Sequence, residues 1–134
     1  LIPLVEKQGF KPESIISSSQ VKKSRPYPNM VFQAMMELEV LQAKNCVKID
    51  DTIVGIDEGL NAGCWTIGLA VSGNCVGLSL AEWNNCPEEE KKKYKELAYK
   101  KFEGTGAHYV VDTIADIIPC LDDIEKKINI SNPC

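Results

Sequence analysis

Short apolar runs alternate along this chain with segments whose apolar residues recur at helical spacing, and that alternation constrains the fold most. Strand candidates stand at Ser14–Ser18, Cys46–Ile49, Trp65–Val71 and Ala107–Val111. Between them, Met30–Ala43 carries Phe32, Met35, Met36, Leu38 and Leu41 at helical positions, and Ile53–Asn61 forms a short helix ended by Ala62-Gly63. Pro87 opens a helix among acidic residues that runs to about Phe102, and Gly104 and Gly106 break the chain after it. Thr113 is expected to cap a short helical turn that Pro119 interrupts, with a last helix continuing to about Lys127. Leu1–Gln8 reads as a helix end closed by Gly9, Ser72–Asn85 as a long loop, and Ser131–Cys134 as a fraying terminus. Strands alternating with helices imply an α/β fold: a Rossmann-like parallel sheet with right-handed crossovers and helices on both faces.

At 134 residues the chain suits one domain, and its 44% apolar and 25% charged residues are ordinary for a globular fold. The run from Cys64 to Val71 is too short to cross a bilayer and is broken by Gly68, so no membrane span is expected. A net charge of −4 argues against a nucleic-acid partner. The lysines from Lys91 to Lys101 are interleaved with Glu88, Glu89, Glu90 and Glu96 and read as a solvated helix face. Cys46, Cys64, Cys75, Cys86, Cys120 and Cys134 form no C-x-x-C pair, and the single histidine leaves no zinc spacing. Reduced thiols in a cytoplasmic protein are expected, since Leu1–Phe10 shows no export layout. The chain opens on Leu1 inside an apolar segment, so the expectation is either that something upstream was removed or that this is the tail of a longer polypeptide.

A parallel sheet places its chemistry at the carboxyl ends of its strands. Two segments there have suitable residues: the basic loop Ser24-Arg25-Pro26-Tyr27-Pro28, and Asp50-Asp51-Thr52. An arginine can hold phosphate oxygens in its planar fork, and a hard cation such as Mg²⁺ takes carboxylate and phosphate oxygens. Equally, a loop arginine can be a surface residue, and Asp-Asp at a strand end can cap the next helix.

Four blocks carry a specific resemblance. They are Arg25-Pro26-Tyr27-Pro28-x-Met30, Asp51-Thr52-Ile53, Glu58-Gly59-Leu60-Asn61-Ala62-Gly63-x-Trp65-Thr66-x-Gly68, and Gly106-Ala107-His108-Tyr109. In this order the chain resembles the phosphonoacetaldehyde hydrolase family, within the haloacid dehalogenase superfamily. The resemblance implies a Mg²⁺-dependent hydrolase that gives acetaldehyde and phosphate, acting through a cap-domain lysine Schiff base and a nucleophilic aspartate. By position, Arg25 would hold the phosphoryl group, and Asp51 would be the metal-binding aspartate. No segment has the family's D-x-A-G-T-T nucleophile pattern, and the cap and its lysine would lie upstream. The chain therefore resembles the C-terminal half of such an enzyme, one partial core domain over residues 1–134 without its first strand or cap.

The family pattern Gly-Asp-Thr-x-x-Asp reads here Asp50-Asp51-Thr52-Ile53-Val54-Gly55. Asp50 could supply the charge missing at Gly55, as a second and weaker metal ligand, or the site has decayed and Mg²⁺ binds weakly. Asn29 replaces a tryptophan of the pattern, and nothing derived from the sequence explains it. His108 is expected to be structural rather than a proton-transfer group.

Two functions follow as expectations: the C-terminal part of a phosphonoacetaldehyde hydrolase, inactive alone, or a truncated pseudoenzyme serving as a binding or structural module. The ligand expected is a small phosphonate or phosphate. A half-sheet with an exposed apolar edge predicts self-association, a homodimer among its forms. A phosphoacceptor receiver domain is disfavoured, because Ser72-Gly73-Asn74 offers neither acceptor aspartate nor lysine after its strand.

Overall fold

The computed structural model describes residues 11–73 and 75–131. Its centre is a parallel sheet of three strands, β1 (Val47–Asp50), β2 (Trp65–Leu69) and β3 (Tyr109–Val111), in the order β1-β2-β3. Val47 faces Trp65 and Asp50 faces Gly68 across the first pair, and Ile67 faces Tyr109 across the second. The helices are α1 (Asn29–Glu37), α2 (Ile53–Ala62), α3 (Leu80–Asn85), α4 (Glu88–Glu103) and α5 (Ile118–Ser131).

Sequential parallel strands joined by right-handed crossovers put both crossover helices on one face, and the contacts agree. On α2, a Cβ at Gly59 would lie 2.6 Å from Lys48 Cβ and 2.8 Å from Thr66 Cγ2. On α4, Phe102 packs on Gly68, two residues beyond Thr66 and so on the same face. The core forms there, from Ile56, Ala70, Ala98 and Phe102, all at most 1% exposed. The opposite face carries Trp65 and Tyr109, and α5 lies over it. Lys127 Nζ stands 5.8 Å and 5.3 Å from those two rings, and Tyr109 hydrogen-bonds Asp123. Helices thus cover both faces.

Local chemistry sets the element ends. Thr52 caps α2, its Oγ1 accepting from the Gly55 N–H at 3.1 Å. Gly63 closes the helix at φ 87, a conformation open to glycine, and its N–H donates to the Gly59 and Leu60 carbonyls.

Four expectations are corrected. Ser14–Ser18 is not a strand: a capping box between Ser17 and Gln20 turns the chain into a 3-10 turn at Ser18–Gln20, leaving Ile15 half exposed. The helix expected to reach Ala43 stops at Glu37. Glu39 takes φ 57, and the Val40 N–H donates back to the Met35 carbonyl at 2.9 Å, a reversal made without glycine. The loop Ser72–Asn85 contains α3, started by a Ser79–Glu82 capping box. Pro119 interrupts nothing. After the 3-10 turn Ile114–Asp116, it sits in the first turn of α5, where its missing N–H has no intrahelical partner to lose, and the helix runs on to Ser131. The helix end at Leu1–Gln8 and the fraying of 132–134 lie outside the described residues.

Candidate functional site

Asp51, Ser72 and Asp112 all follow strands at the carboxyl edge of the sheet. Asp50 and Asp51 leave β1 in different directions, as consecutive residues of a strand must. Asp50 turns toward α2. Its Oδ1 accepts from the Thr52 N–H at 2.8 Å and the Thr52 hydroxyl at 2.7 Å, and its Oδ2 pairs with Lys48 Nζ at 3.2 Å. Burial pushes the Asp50 carboxyl up, but the Thr52 bonds and Lys48 outweigh it and hold the group below its ordinary value. Asp51 instead meets the loop after β2. A Cβ at Gly73 would collide with the Asp51 side chain, and Cys75 Sγ donates to the Asp51 carbonyl at 3.7 Å. The helix cap considered for the aspartate pair belongs to its neighbour: the capping oxygen is that of Thr52.

Arg25 lies in an exposed loop that follows the 3-10 turn Ser18–Gln20 and not a strand, so the expectation that it stands at a strand's carboxyl end is corrected. Its peptide bond to Pro26 is cis, and the Pro26 carbonyl accepts from Asn61 Nδ2 at 2.8 Å. Asn61 lies near the far end of α2 from Thr52, about 13 Å along the helix at 1.5 Å per residue. The structure therefore brings Asp50 and Asp51 to one strand end and does not bring Arg25 into contact with either.

Two groups escaped the sequence reading. Lys48 bonds Glu58 Oε1 at 3.2 Å as well as Asp50, and Glu58 is 1% exposed with its Oε2 buried and without a partner. The signal was present, since a lysine inside an apolar strand and a glutamate inside an apolar helix both invite a search for a mate. At the end of β3, Asp112 takes Lys95 Nζ at 2.6 Å and the Tyr99 hydroxyl at 2.5 Å. Burial and the adjacent carboxylate push the Tyr99 hydroxyl well above its ordinary value. Lys95 and Asp112 border a cavity of about 630 Å³ that also meets Val71, Trp83 and Lys91.

His108 sits just before β3, at the opposite end of the strands from Asp51. Its Nδ1 accepts the Thr66 N–H at 3.1 Å, and the His108 N–H donates to Thr66 Oγ1 at 3.1 Å. Partial burial and then Lys127 lower its pKa. A proton on Nδ1 would orphan the N–H of fully buried Thr66. The unfolded state therefore takes up the proton first, and the stability tied to neutral His108 is present above about pH 6.5 and is lost as pH falls through the lowered folded value. Melting followed from pH 7.5 to pH 5 should show this loss. A His108→Asn variant should flatten that part of the profile, and an unchanged profile would exclude the role.

Among the described residues, no cluster of three His, Cys, Asp or Glu side chains could enclose a metal. Asp51 at the strand end is a single hard oxygen donor. That fits Mg²⁺, which keeps several waters and takes one or two carboxylates.

No family model matches. The chain is 39% identical over 128 residues to the phosphonoacetaldehyde hydrolase of Paraburkholderia xenovorans, covering 96% of this chain and 48% of that protein. It is 39% identical over 126 residues to that of Hahella chejuensis, covering 94% and 43%. A phosphonoacetaldehyde hydrolase-like protein from Oleispira antarctica superimposes with a TM-score of 0.93 at 36% identity, over 97% of this chain and 47% of that one. Along nearly its whole length this chain is a homologue of phosphonoacetaldehyde hydrolases. It spans about half the length of the curated relatives it matches. A more distant haloacid dehalogenase family hydrolase from Deinococcus radiodurans, with bound phosphate and sodium, matches at TM-score 0.56 and 25% identity, over 85% of this chain and 42% of that one. The α/β fold of this chain is therefore that of the matching part of the Oleispira antarctica protein and of the Deinococcus radiodurans hydrolase.

Proposed function

We propose that this chain supplies the phosphoryl-binding and metal-binding half of a phosphonoacetaldehyde hydrolase, and that it is inactive without the other half. The observation that carries the reading is the identity of 39% along 96% of the chain, with Asp51 at the carboxyl edge of the sheet. Asp51 would hold Mg²⁺, which would supply a positive charge for phosphoryl oxygens. Arg25 would take the phosphoryl group of a small phosphonate on the strength of the resemblance alone, since its loop is held near the far end of α2 from Asp51. Asp50 contributes less to the ion, because its oxygens already serve Thr52 and Lys48. Mg²⁺ affinity in the isolated chain should then be millimolar at best, about −4 kcal/mol or weaker.

The same engagement of Asp50, with Gly55 opposite, favours a second reading in which the chain is a catalytically inactive binding module. A cytoplasmic location and a homodimer belong to either reading. No described helix is long and apolar enough to cross a membrane.

A chimera separates the two readings. The matching segment of the Paraburkholderia xenovorans hydrolase is replaced by this chain, and acetaldehyde release from phosphonoacetaldehyde is followed with and without Mg²⁺. Mg²⁺-dependent release is expected, falling by about 10²-fold or more in Arg25→Ala and in Asp51→Asn. The 134-residue chain alone should release none above its own Arg25→Ala control. A folded but inert chimera would leave the binding-module reading standing, and activity in the isolated chain would overturn the first.

A further inference from the structure

Cys46 and Cys64 stand opposite each other where β1 and β2 begin. The pairing of Val47 with Trp65 continues back by one residue, since the Trp65 N–H donates to the Cys46 carbonyl at 3.0 Å. Side chains alternate along a strand, so Cys46 shares a face with Lys48, and Cys64 shares it with Thr66. That is the face on which α2 lies. Neighbouring strands run about 4.8 Å apart, inside the Cα separation that a disulfide spans. Two thiols thus leave adjacent strands at the same level and on the same side. Both also line a cavity of about 460 Å³, together with Met30, Met35 and Val47.

The two differ in access. Cys64 is 4% exposed, whereas Cys46 is only partly covered, and both are free thiols. Burial, and then Cys46 beside it, push the Cys64 thiol up to about 11. Burial raises Cys46 too, but its contact with Cys64 offsets part of that rise. A small oxidant therefore meets Cys46 first, while Cys64 keeps its proton behind it. The other described cysteines have oxygen neighbours instead: Cys75 the Asp51 carbonyl, Cys86 the Glu90 carboxylate, and Cys120 the charges of Asp123 and Asp116.

We propose that Cys46 and Cys64 close into a reversible disulfide in response to a hydroperoxide, a staple between β1 and β2. The Cys46 sulfur first attacks the peroxide O–O bond and becomes a sulfenic acid, its proton leaving with the departing hydroxide as water. The Cys64 sulfur then attacks the sulfenic sulfur. The S–S bond forms, and the hydroxyl leaves with the Cys64 proton as a second water. Two electrons pass from the thiols to the peroxide, and a dithiol reductant returns them. Among the described residues β1 is an edge strand, paired with β2 alone, so a covalent tie there adds to a one-sided ladder. It lies at the entry end of the strands and leaves the carboxyl edge around Asp51 open.

The 134-residue chain is treated with hydrogen peroxide, digested without reduction and mapped by mass spectrometry. A linked peptide holding Cys46 and Cys64, lighter by two hydrogens, should appear and should vanish with dithiothreitol. This mapping uses the wild-type chain and does not depend on how any variant folds. In Cys64→Ser, dimedone should trap a sulfenic acid at Cys46. In Cys46→Ser, labelling at Cys64 should be lower by about tenfold or more, because its sulfur is buried. The oxidised wild-type chain should melt about 5–10 °C above the reduced one, a shift absent in Cys64→Ser. Cys46 and Cys64 both still open to alkylation in the unfolded chain after peroxide treatment, or links joining either to a different cysteine, would overturn the proposal. A link that formed without raising the melting temperature would overturn its role as a staple.

Discussion

Lys48→Met should destabilise the fold by about 3–5 kcal/mol, the usual cost of removing one partner from a buried ion pair. The reason lies in what the ammonium leaves behind. Glu58 is 1% exposed, its Oε1 has Lys48 at 3.2 Å, and its Oε2 already lacks a partner. Without Lys48, one carboxylate is buried with no counter-charge, and Asp50 loses the cation on its Oδ2. Methionine keeps the length of the stem, so the effect isolates the charge. A second variant removes the ambiguity: Lys48→Met/Glu58→Gln should recover a large part of the loss, because a neutral amide is far cheaper to bury than a lone carboxylate. Chemical denaturation reads both. A single variant that loses less than about 1 kcal/mol would show that the pair is solvated enough to behave as a surface bridge.

Phe102→Ala should cost about 3–5 kcal/mol. Phe102 is 1% exposed and packs with Ile56, Ala70 and Ala98 in the core beneath α2 and α4. Its ring lies against the bare backbone of Gly68, where a Cβ would come within 2.8 Å of two ring carbons. This close fit predicts a change of sign. Gly68→Ala should destabilise the wild-type chain by overpacking, by about 1–3 kcal/mol. In the Phe102→Ala background the same methyl enters space left by the ring, and Gly68→Ala should become neutral or stabilising. A double-mutant cycle measured by denaturation gives the coupling directly. Equal losses in both backgrounds would mean that the sheet moves to accommodate either side chain, and the packing argument would fail.

These two sites mark what could be read along the chain and what could not. The parallel α/β order followed from local patterns, because each strand and helix announces itself by the spacing of its own apolar residues. The end of α2 was legible for the same reason: a helix needs a left-handed residue there, and Gly63 supplies one. Ser79-x-x-Glu82 was equally local, and its capping box shows that α3 could have been recognised. The Ser14–Ser18 segment misled because two adjacent isoleucines satisfy a strand pattern, whereas the Ser17–Gln20 bonds, also local, take the chain into a turn.

The sequence by itself determined that Asp50 and Asp51 stand side by side at a strand end, that a helix follows them, and that position 55 is a glycine. Only the tertiary structure decided which way each carboxylate points. The distance between α2 and the sheet is set by Gly55 and Gly59, whose missing side chains let the helix sit directly on Asp50, Lys48 and Thr66. That approach brings Glu58 to Lys48 and Asp50 into the space above Gly55, contacts between elements that no periodicity within either element encodes. It also leaves Arg25 near the far end of α2, because the Pro26 carbonyl is held by Asn61. Periodicity tells which residues face inward; the depth of helix docking decides which of them meet.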